Sequence, residues 1–327
     1  MSALTDASQV SIEEQAAGKK TQADCPRIYT LRAFQAGLAL ARMLPRWASR
    51  AIASTIGQIE YCRRSCAQSA LRENLRAVTG RSGADLERLC RENVAQFSQM
   101  LADYFYCASH STEKADALLE AWHGKEHLMT ARDQGKGVIV ITGHLGNWEL
   151  GGILLALRGL PMTVITLDEP STALTEWRDA YRRKLGIKTI AVGPGREFAF
   201  VEMIQTLRRG ECLAMLVDRP YAGTGTPVQF FGRQAEFSSA AALLWQHTGA
   251  PVVPAFVVRS ASGGYCSFAE PAVPMQSRED SRSALAANTQ AVASVFESII
   301  QRYPEQWFNY VPIWQSSLPN DAPSLHA

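Results

Sequence analysis

Gly137-Val-Ile-Val-Ile-Thr-Gly-His144-Leu-Gly-Asn-Trp-Glu149 is an apolar strand running into a glycine-flanked histidine, with an acid five residues further on. A continuous helix advances about 100° per residue, so this spacing would set His144 and Glu149 about 140° apart on different faces. Gly143 and Gly146 remove that obstacle. Glycine permits a turn by which His144 leaves the strand end while Glu149 rides the first turn of the next helix. Imidazole and carboxylate can then meet, and a neutral imidazole held by a carboxylate takes a proton from a hydroxyl near pH 7. The same pattern is also met by an ordinary strand-end histidine beside an acid favoured by the helix dipole.

The rest of the chain narrows the choice. Its 327 residues are 46% hydrophobic and 20% charged, which fits a globular protein rather than a disordered, collagen-like or coiled-coil one. The formal net charge of +2 is nearly neutral, so no nucleic-acid partner is expected. Cys25, Cys62, Cys66, Cys90, Cys107, Cys212 and Cys266 show no C-x-x-C pair, and neither a zinc site nor a disulfide framework is expected. An odd number of scattered thiols suits a reducing, cytoplasm-facing compartment. Residues 1–26 read as a disordered polar leader without the features of a secretory signal. No run reaches the roughly eighteen apolar residues of a membrane span.

From Arg27 to Tyr61, Ile28, Leu31, Phe34, Leu38 and Ala41 recur at helical spacing. Arg27, Arg32, Arg42, Arg46 and Arg50 accompany them with no acid before Glu60. A basic amphipathic helix of this kind lies in the interface of an anionic membrane. The alternative is a helix packed on the domain with its arginines solvated. Breaks fall at Leu44-Pro45 and Gly80-Arg-Ser-Gly83, Asn74-Leu75 falls between helical patterns, and Leu86 to Tyr106 has a core-facing period.

After Gly137 short apolar runs alternate with helical segments. The strands are expected at Val138 to Thr142, Met162 to Thr166, Lys188 to Val192, Cys212 to Val217 and Val252 to Val258. Helices are expected at Trp148 to Arg158, Thr175 to Leu185, Glu197 to Arg209, Ser239 to Thr248 and Arg282 to Tyr303. The fold class is therefore α/β, with a mixed, largely parallel central sheet flanked by helices and a helical N-terminal segment. Ligands of such sheets gather beyond the carboxyl ends of the strands. Two strands end there in titratable groups, one at His144 and one at Asp218-Arg219-Pro220, so a shared cleft is expected.

Tyr221-Ala-Gly-Thr-Gly-Thr-Pro227 fits neither the P-loop nor the dinucleotide fingerprint, and there is no Gly-x-Ser-x-Gly elbow. The block Thr142 to Glu149 is followed in order by Val217-Asp218-Arg219, Phe230-Phe231-Gly232, Leu243 to Thr248, Gly249-Ala-Pro-Val-Val-Pro-Ala255 and Tyr303-Pro-Glu-Gln-Trp307. This series resembles the bacterial lipid A biosynthesis acyltransferases over roughly Arg27 to Trp314. The resemblance implies a single acyltransferase domain over 27–316, with a membrane-associating helical part at about 27–110 and a tail at 317–327.

It also implies transfer of a fatty acyl chain from an acyl carrier protein or coenzyme A thioester to a glycolipid hydroxyl, such as a lipid A-like precursor. No metal or other cofactor is expected. The setting would be peripheral, on the cytoplasmic face of the inner membrane. His144 would be the general base and Glu149 its orienting acid. Amides at Gly146 and Asn147 would stabilise the oxyanion, because a helix N-terminus offers unpaired donors. Arg182, with Arg178 and Arg183 as neighbours, matches a family arginine that could hold a phosphate. Asp218 would orient Arg219 or another base, or contribute to the acceptor site. Phe230, Phe231, Leu243, Leu244 and Trp245 are candidates for an acyl-chain groove. Relatives acting on phosphatidylinositol mannosides share the core motifs. A thioesterase or a non-enzymatic lipid-binding protein are the readings from other classes.

Overall fold

Val138–Thr142 (β2) buries all five of its residues, as a strand covered on both faces must. The computed structural model describes residues 30–314 apart from 64, 161, 168, 170, 221–224, 279 and 280; the expected leader 1–26 and tail 317–327 lie outside the described residues. In chain order the elements are α1 Leu31–Met43, α2 Arg46–Arg63, α3 Ser65–Thr79, α4 Gly83–Ser109, α5 Thr112–Asp116, β1 Leu119–His123, α6 Lys125–Asp133, β2, α7 Trp148–Leu157, β3 Met162–Leu167, α8 Thr172–Lys184 and β4 Lys188–Val192. There follow α9 Ala199–Arg208, β5 Cys212–Leu216, β6 Gly225–Phe230, β7 Arg233–Ser238, α10 Ala240–Thr248, β8 Val252–Arg259, β9 Tyr265–Ala269, α11 Arg282–Arg302 and a 3-10 turn at Pro304–Gln306.

Among the described residues the main sheet has the order β1-β9-β8-β2-β5-β3-β4, parallel throughout except between β8 and β9. The mixed, largely parallel α/β architecture is thus as expected. β6 and β7 form a separate antiparallel hairpin. Alternation along β2 sends Ile139 and Ile141 into a layer with Leu213, Met215, Phe256 and Phe296. Val138 and Val140 enter the opposite layer, with Leu150, Ile153 and Val257. Full burial of each such side chain stabilises the fold by roughly 1.5–3 kcal/mol relative to exposure.

Two sequence expectations are corrected here. Asn74 does not separate helices; it sits inside α3, fully buried, where its amide donates to the carbonyls of Asn309 (2.9 Å) and Val311 (2.8 Å). A polar side chain that satisfies backbone carbonyls in the core can stay mid-helix despite its weak propensity. The arginines of α2 are also not all solvated. Arg46 Nε meets Asp103 Oδ1 at 2.8 Å, Arg50 Nε meets the same oxygen at 3.0 Å, and both guanidiniums donate to the Gly263 carbonyl. Tyr265 Oη donates to Asp103 Oδ2 at 2.6 Å. Asp103, on α4, is the acid this run lacked locally, and its burial makes these contacts a pin between α2, α4 and the β8–β9 turn.

Candidate active site

β2 and β5 are parallel neighbours with Thr142 opposite Leu216. Two residues beyond each strand end, that register brings His144 and Asp218 together. His144 Nδ1 lies 2.8 Å from Asp218 Oδ1, and the His144 backbone N–H donates to Asp218 Oδ2 at 3.0 Å. Trp307 Nε1 (3.2 Å) and Asn309 Nδ2 (3.0 Å) donate to the same Oδ2. Phe308 N–H grips the His144 carbonyl at 2.6 Å, so the C-terminal segment clamps the histidine from behind. Gly143 is required for this approach, since a Cβ there would lie 2.8 Å from Phe296 and 3.1 Å from Asp218 Cγ.

The expected pairing of His144 with Glu149 is corrected. Glu149 lies in the first turn of α7, and its carboxylate is taken by Arg178 and by Arg182, the latter at 3.0 Å and 3.3 Å; no hydrogen bond or ion pair joins it to His144. Arg178 and Arg182 lie four residues apart on α8 and so present one face to it. Arg178 also binds Glu169 and lies over the Tyr104 ring, 5.6 Å from its centre. Arg182, expected to hold a phosphate, is committed to Glu149. Burial alone would raise the Glu149 carboxyl, yet Arg178 and Arg182 hold it below the usual carboxylate range.

Of the roles expected for Asp218, the structure shows contact with a base: it is 1% exposed and lies behind the His144 imidazole rather than on an exposed acceptor-binding surface. Burial would raise its carboxyl, but His144, Arg219 and Asn309 hold it well below the usual range. Four donors therefore converge on a fixed anion.

The imidazole has two competing contacts at Nδ1. Arg219 Nε points at that nitrogen from 3.2 Å, whereas Asp218 accepts from it at 2.8 Å. One neutral nitrogen cannot donate and accept at once, and the shorter, charge-assisted contact places the proton on Nδ1. Nε2 is left with its lone pair and accepts no hydrogen bond among the described residues. The His144 side chain is 24% exposed, with Trp148 edge-on at 5.5 Å.

The expected oxyanion donors are also reassigned. Gly146 N–H donates to Gln306 O at 2.9 Å and Asn147 N–H to Val257 O at 2.7 Å, so both amides are spent on the scaffold. Gly146 is in the left-handed region at φ 63°, and a Cβ would meet the Val257 carbonyl at 2.1 Å. Asn147 is the cap of α7, its side chain accepting from Leu150 N at 3.0 Å. Trp148 and Glu149, the first two residues of that helix, have amides with no intrahelical acceptor. Phe230 and Leu244 are wholly buried in the core layer rather than along the cleft.

Trp307, Phe308 and Asn309 complete the site, and the sequence pattern alone does not mark them. Their visible trace is an amide and two aromatics just after the helix-stopping Pro304, a segment too short to bury aromatics by itself.

The sequence pattern described as bacterial lipid A biosynthesis acyltransferase matches residues 16–316. The chain belongs to that family. This acyltransferase is 24% identical over 290 residues to the phosphatidylinositol mannoside acyltransferase of Mycolicibacterium smegmatis, covering 88% of this chain and 92% of the relative. The protein of the same name from Mycobacterium tuberculosis is 27% identical over 304 residues, covering 92% and 93%. The lipid A biosynthesis palmitoleoyltransferase of Escherichia coli is 25% identical over 265 residues, covering 77% and 81%.

One pH prediction arises from the site. Burial pushes His144 below its ordinary value of 6.5, Asp218 opposes this, and Arg219 lowers it further. The acyltransferase should therefore hold its rate at neutral pH and lose it on acidification, with a midpoint below 6.5. Arg219→Gln removes a lowering charge, so its midpoint should move upward. A pH–rate profile of both proteins measures this, and a midpoint that stays or falls in the variant contradicts it.

Proposed function

We propose that this acyltransferase moves a fatty acyl chain from an acyl carrier protein or coenzyme A thioester to a sugar hydroxyl of a membrane glycolipid, with His144 as general base. The observation that carries the reading is the 2.8 Å contact from His144 Nδ1 to buried Asp218, which leaves Nε2 to accept a proton. Nε2 takes the acceptor's hydroxyl proton as its oxygen attacks the thioester carbonyl. The tetrahedral intermediate then collapses, the C–S bond breaks, and the departing thiolate recovers the proton from His144. Negative charge on the intermediate falls to the Trp148 and Glu149 amides at the positive end of α7. Glu149 positions the Arg178 and Arg182 pair and fixes α8 against α7. The reaction needs no other cofactor.

The mycobacterial relatives align over 88% and 92% of this chain, the lipid A enzyme over 77%. A mannose-bearing phospholipid is accordingly the first acceptor to test, and a lipid A precursor the second. Purified protein is incubated with each acceptor and with acyl-carrier-protein or acyl-coenzyme A thioesters, and products are read by mass spectrometry. A product heavier by one acyl chain supports the proposal. Thioester hydrolysis that continues undiminished with the acceptor present, with no acylated lipid, favours a thioesterase instead.

Attachment to the cytoplasmic face of the inner membrane belongs to the same reading. Among the described residues no helix is long and apolar enough to cross a membrane. Ile52, Ile56 and Ile59 recur along the outward side of α2, and Met43 and Trp47 are 72% and 74% exposed at the α1–α2 corner. Arg32 and Arg42 are exposed on α1, while Arg46 and Arg50 are turned inward. Apolar side chains with a peripheral tryptophan and basic residues suit the interfacial layer of an anionic leaflet. Trp47→Glu with Ile56→Glu should greatly reduce co-sedimentation with anionic vesicles; unchanged binding would contradict this attachment.

A further inference from the structure

A second basic feature lies away from His144. Ser69, Arg72, Glu73, Arg76 and Ala77 recur along one side of α3 and, with Arg233 at the start of β7, line a cavity of about 290 Å³. Arg72 pairs with Glu87 at 2.5 Å, but Glu87 is shared with Arg91 at 3.2 Å. Arg233 reaches Glu73 at 3.4 Å and lies over the Trp314 ring at 5.0 Å. Arg76 is exposed and makes no ion pair with any described residue. Three guanidiniums thus line the concave site against one carboxylate in its wall, Glu73, and Glu87 behind Arg72, leaving positive charge uncompensated there. Arg72 and Arg233 retain 46% and 43% side-chain exposure, so their donors remain within reach of a ligand.

We propose that this cavity binds a phosphate ester, the group that both candidate acyl donors carry at the far end of an extended pantetheine arm. The proposal rests on the thioester-donor reading given above. Guanidinium forks from a helix and a hairpin converge from two sides, an arrangement suited to a compact tetrahedral anion with several acceptor oxygens. The Ser69 hydroxyl adds a further donor. α3 also reaches the segment that clamps His144 from behind. The other side of α3 carries Asn74, which holds Asn309 O at 2.9 Å, and Asn309 in turn holds Asp218 at 3.0 Å. The β6–β7 hairpin that supplies Arg233 comes next in the chain after β5, two residues beyond whose end Asp218 lies.

Arg76→Glu is the test, because an exposed, unpaired arginine can change without exposing core. KM is measured with acyl-coenzyme A, acyl-phosphopantetheine and an acyl-pantetheine lacking phosphate. Loss of one charge-assisted contact should raise KM for the phosphate-bearing donors roughly tenfold or more with kcat unchanged, and leave the phosphate-free donor unaffected. A rise for acyl-coenzyme A alone assigns the cavity to the nucleotide phosphates, and a rise for both assigns it to the phosphate on the arm. Unchanged KM for every donor, an equal rise for the phosphate-free thioester, or a loss of vesicle binding alone would overturn the proposal. If the wild-type protein transfers no acyl chain, the donor reading fails by itself. Calorimetric titration with coenzyme A alone then decides the cavity: binding lost in Arg76→Glu supports it, and binding absent from the wild type or unchanged in the variant overturns it.

Discussion

Replacing His144 with alanine is expected to lower acyl transfer by about 10²–10⁴-fold, the usual contribution of a positioned general base. The fold should survive. The side chain is partly exposed, and Asp218 keeps the His144 backbone N–H, Trp307 Nε1 and Asn309 Nδ2 as donors after the ring is gone. Its buried charge is therefore not stranded, which is the condition under which such truncations become severely destabilising. Steady-state rates and a thermal melt on the same preparation separate the two effects. Near-normal turnover in a folded variant would remove His144 from the mechanism.

Asp218→Asn should cost as much or more, roughly 10³–10⁴-fold, although it changes hardly any volume. Asp218 Oδ2 accepts from three donors, the His144 N–H, Trp307 Nε1 and Asn309 Nδ2. An asparagine must turn its one oxygen toward that cluster, since its NH₂ there would face only donors. The NH₂ is then left against His144 Nδ1, which becomes an acceptor and moves the ring proton to Nε2, where the hydroxyl proton was to go. Loss of the fixed anion also removes stabilisation of the imidazolium. Transfer rates for Asp218→Asn beside wild type check this, and activity within tenfold of wild type would show that the tautomer is not controlled from this side.

The parallel core strands were legible because buried central strands consist of little but apolar residues. Val138–Thr142 and Lys188–Val192 agree with the sequence reading to the residue. β1 and β9 were not legible: Leu119–His123 carries Glu120 and His123 and is partly exposed, while Tyr265–Ala269 is a five-residue run of mixed type with no alternating period. Asn74 resembles a break in helix α3 because the partner that accounts for its buried amide lies 235 residues away.

The site followed the same division. Both strand-end groups, His144 and Asp218, could be picked out, and parallel register joins them across 74 residues. The local spacing made Glu149 the natural partner instead. Nothing in the interval between His144 and Glu149 reveals that two arginines, 29 and 33 residues beyond the acid, will claim it. The Gly146 and Asn147 amides are claimed in a similar way, by the carbonyls of Gln306 and Val257, which lie much further along the chain.

The ring tautomer of His144 bears most directly on the claim that Asp218 presents Nε2 as the base. Nitrogen-15 NMR of histidine-labelled protein near pH 7, with the resonance assigned by its absence in His144→Ala, reads which ring nitrogen carries the proton. The predicted result is a protonated Nδ1 and a bare Nε2, reversed in Asp218→Asn and retained in Glu149→Gln. A wild-type ring protonated at Nε2, with Nδ1 accepting from Arg219, would contradict the account.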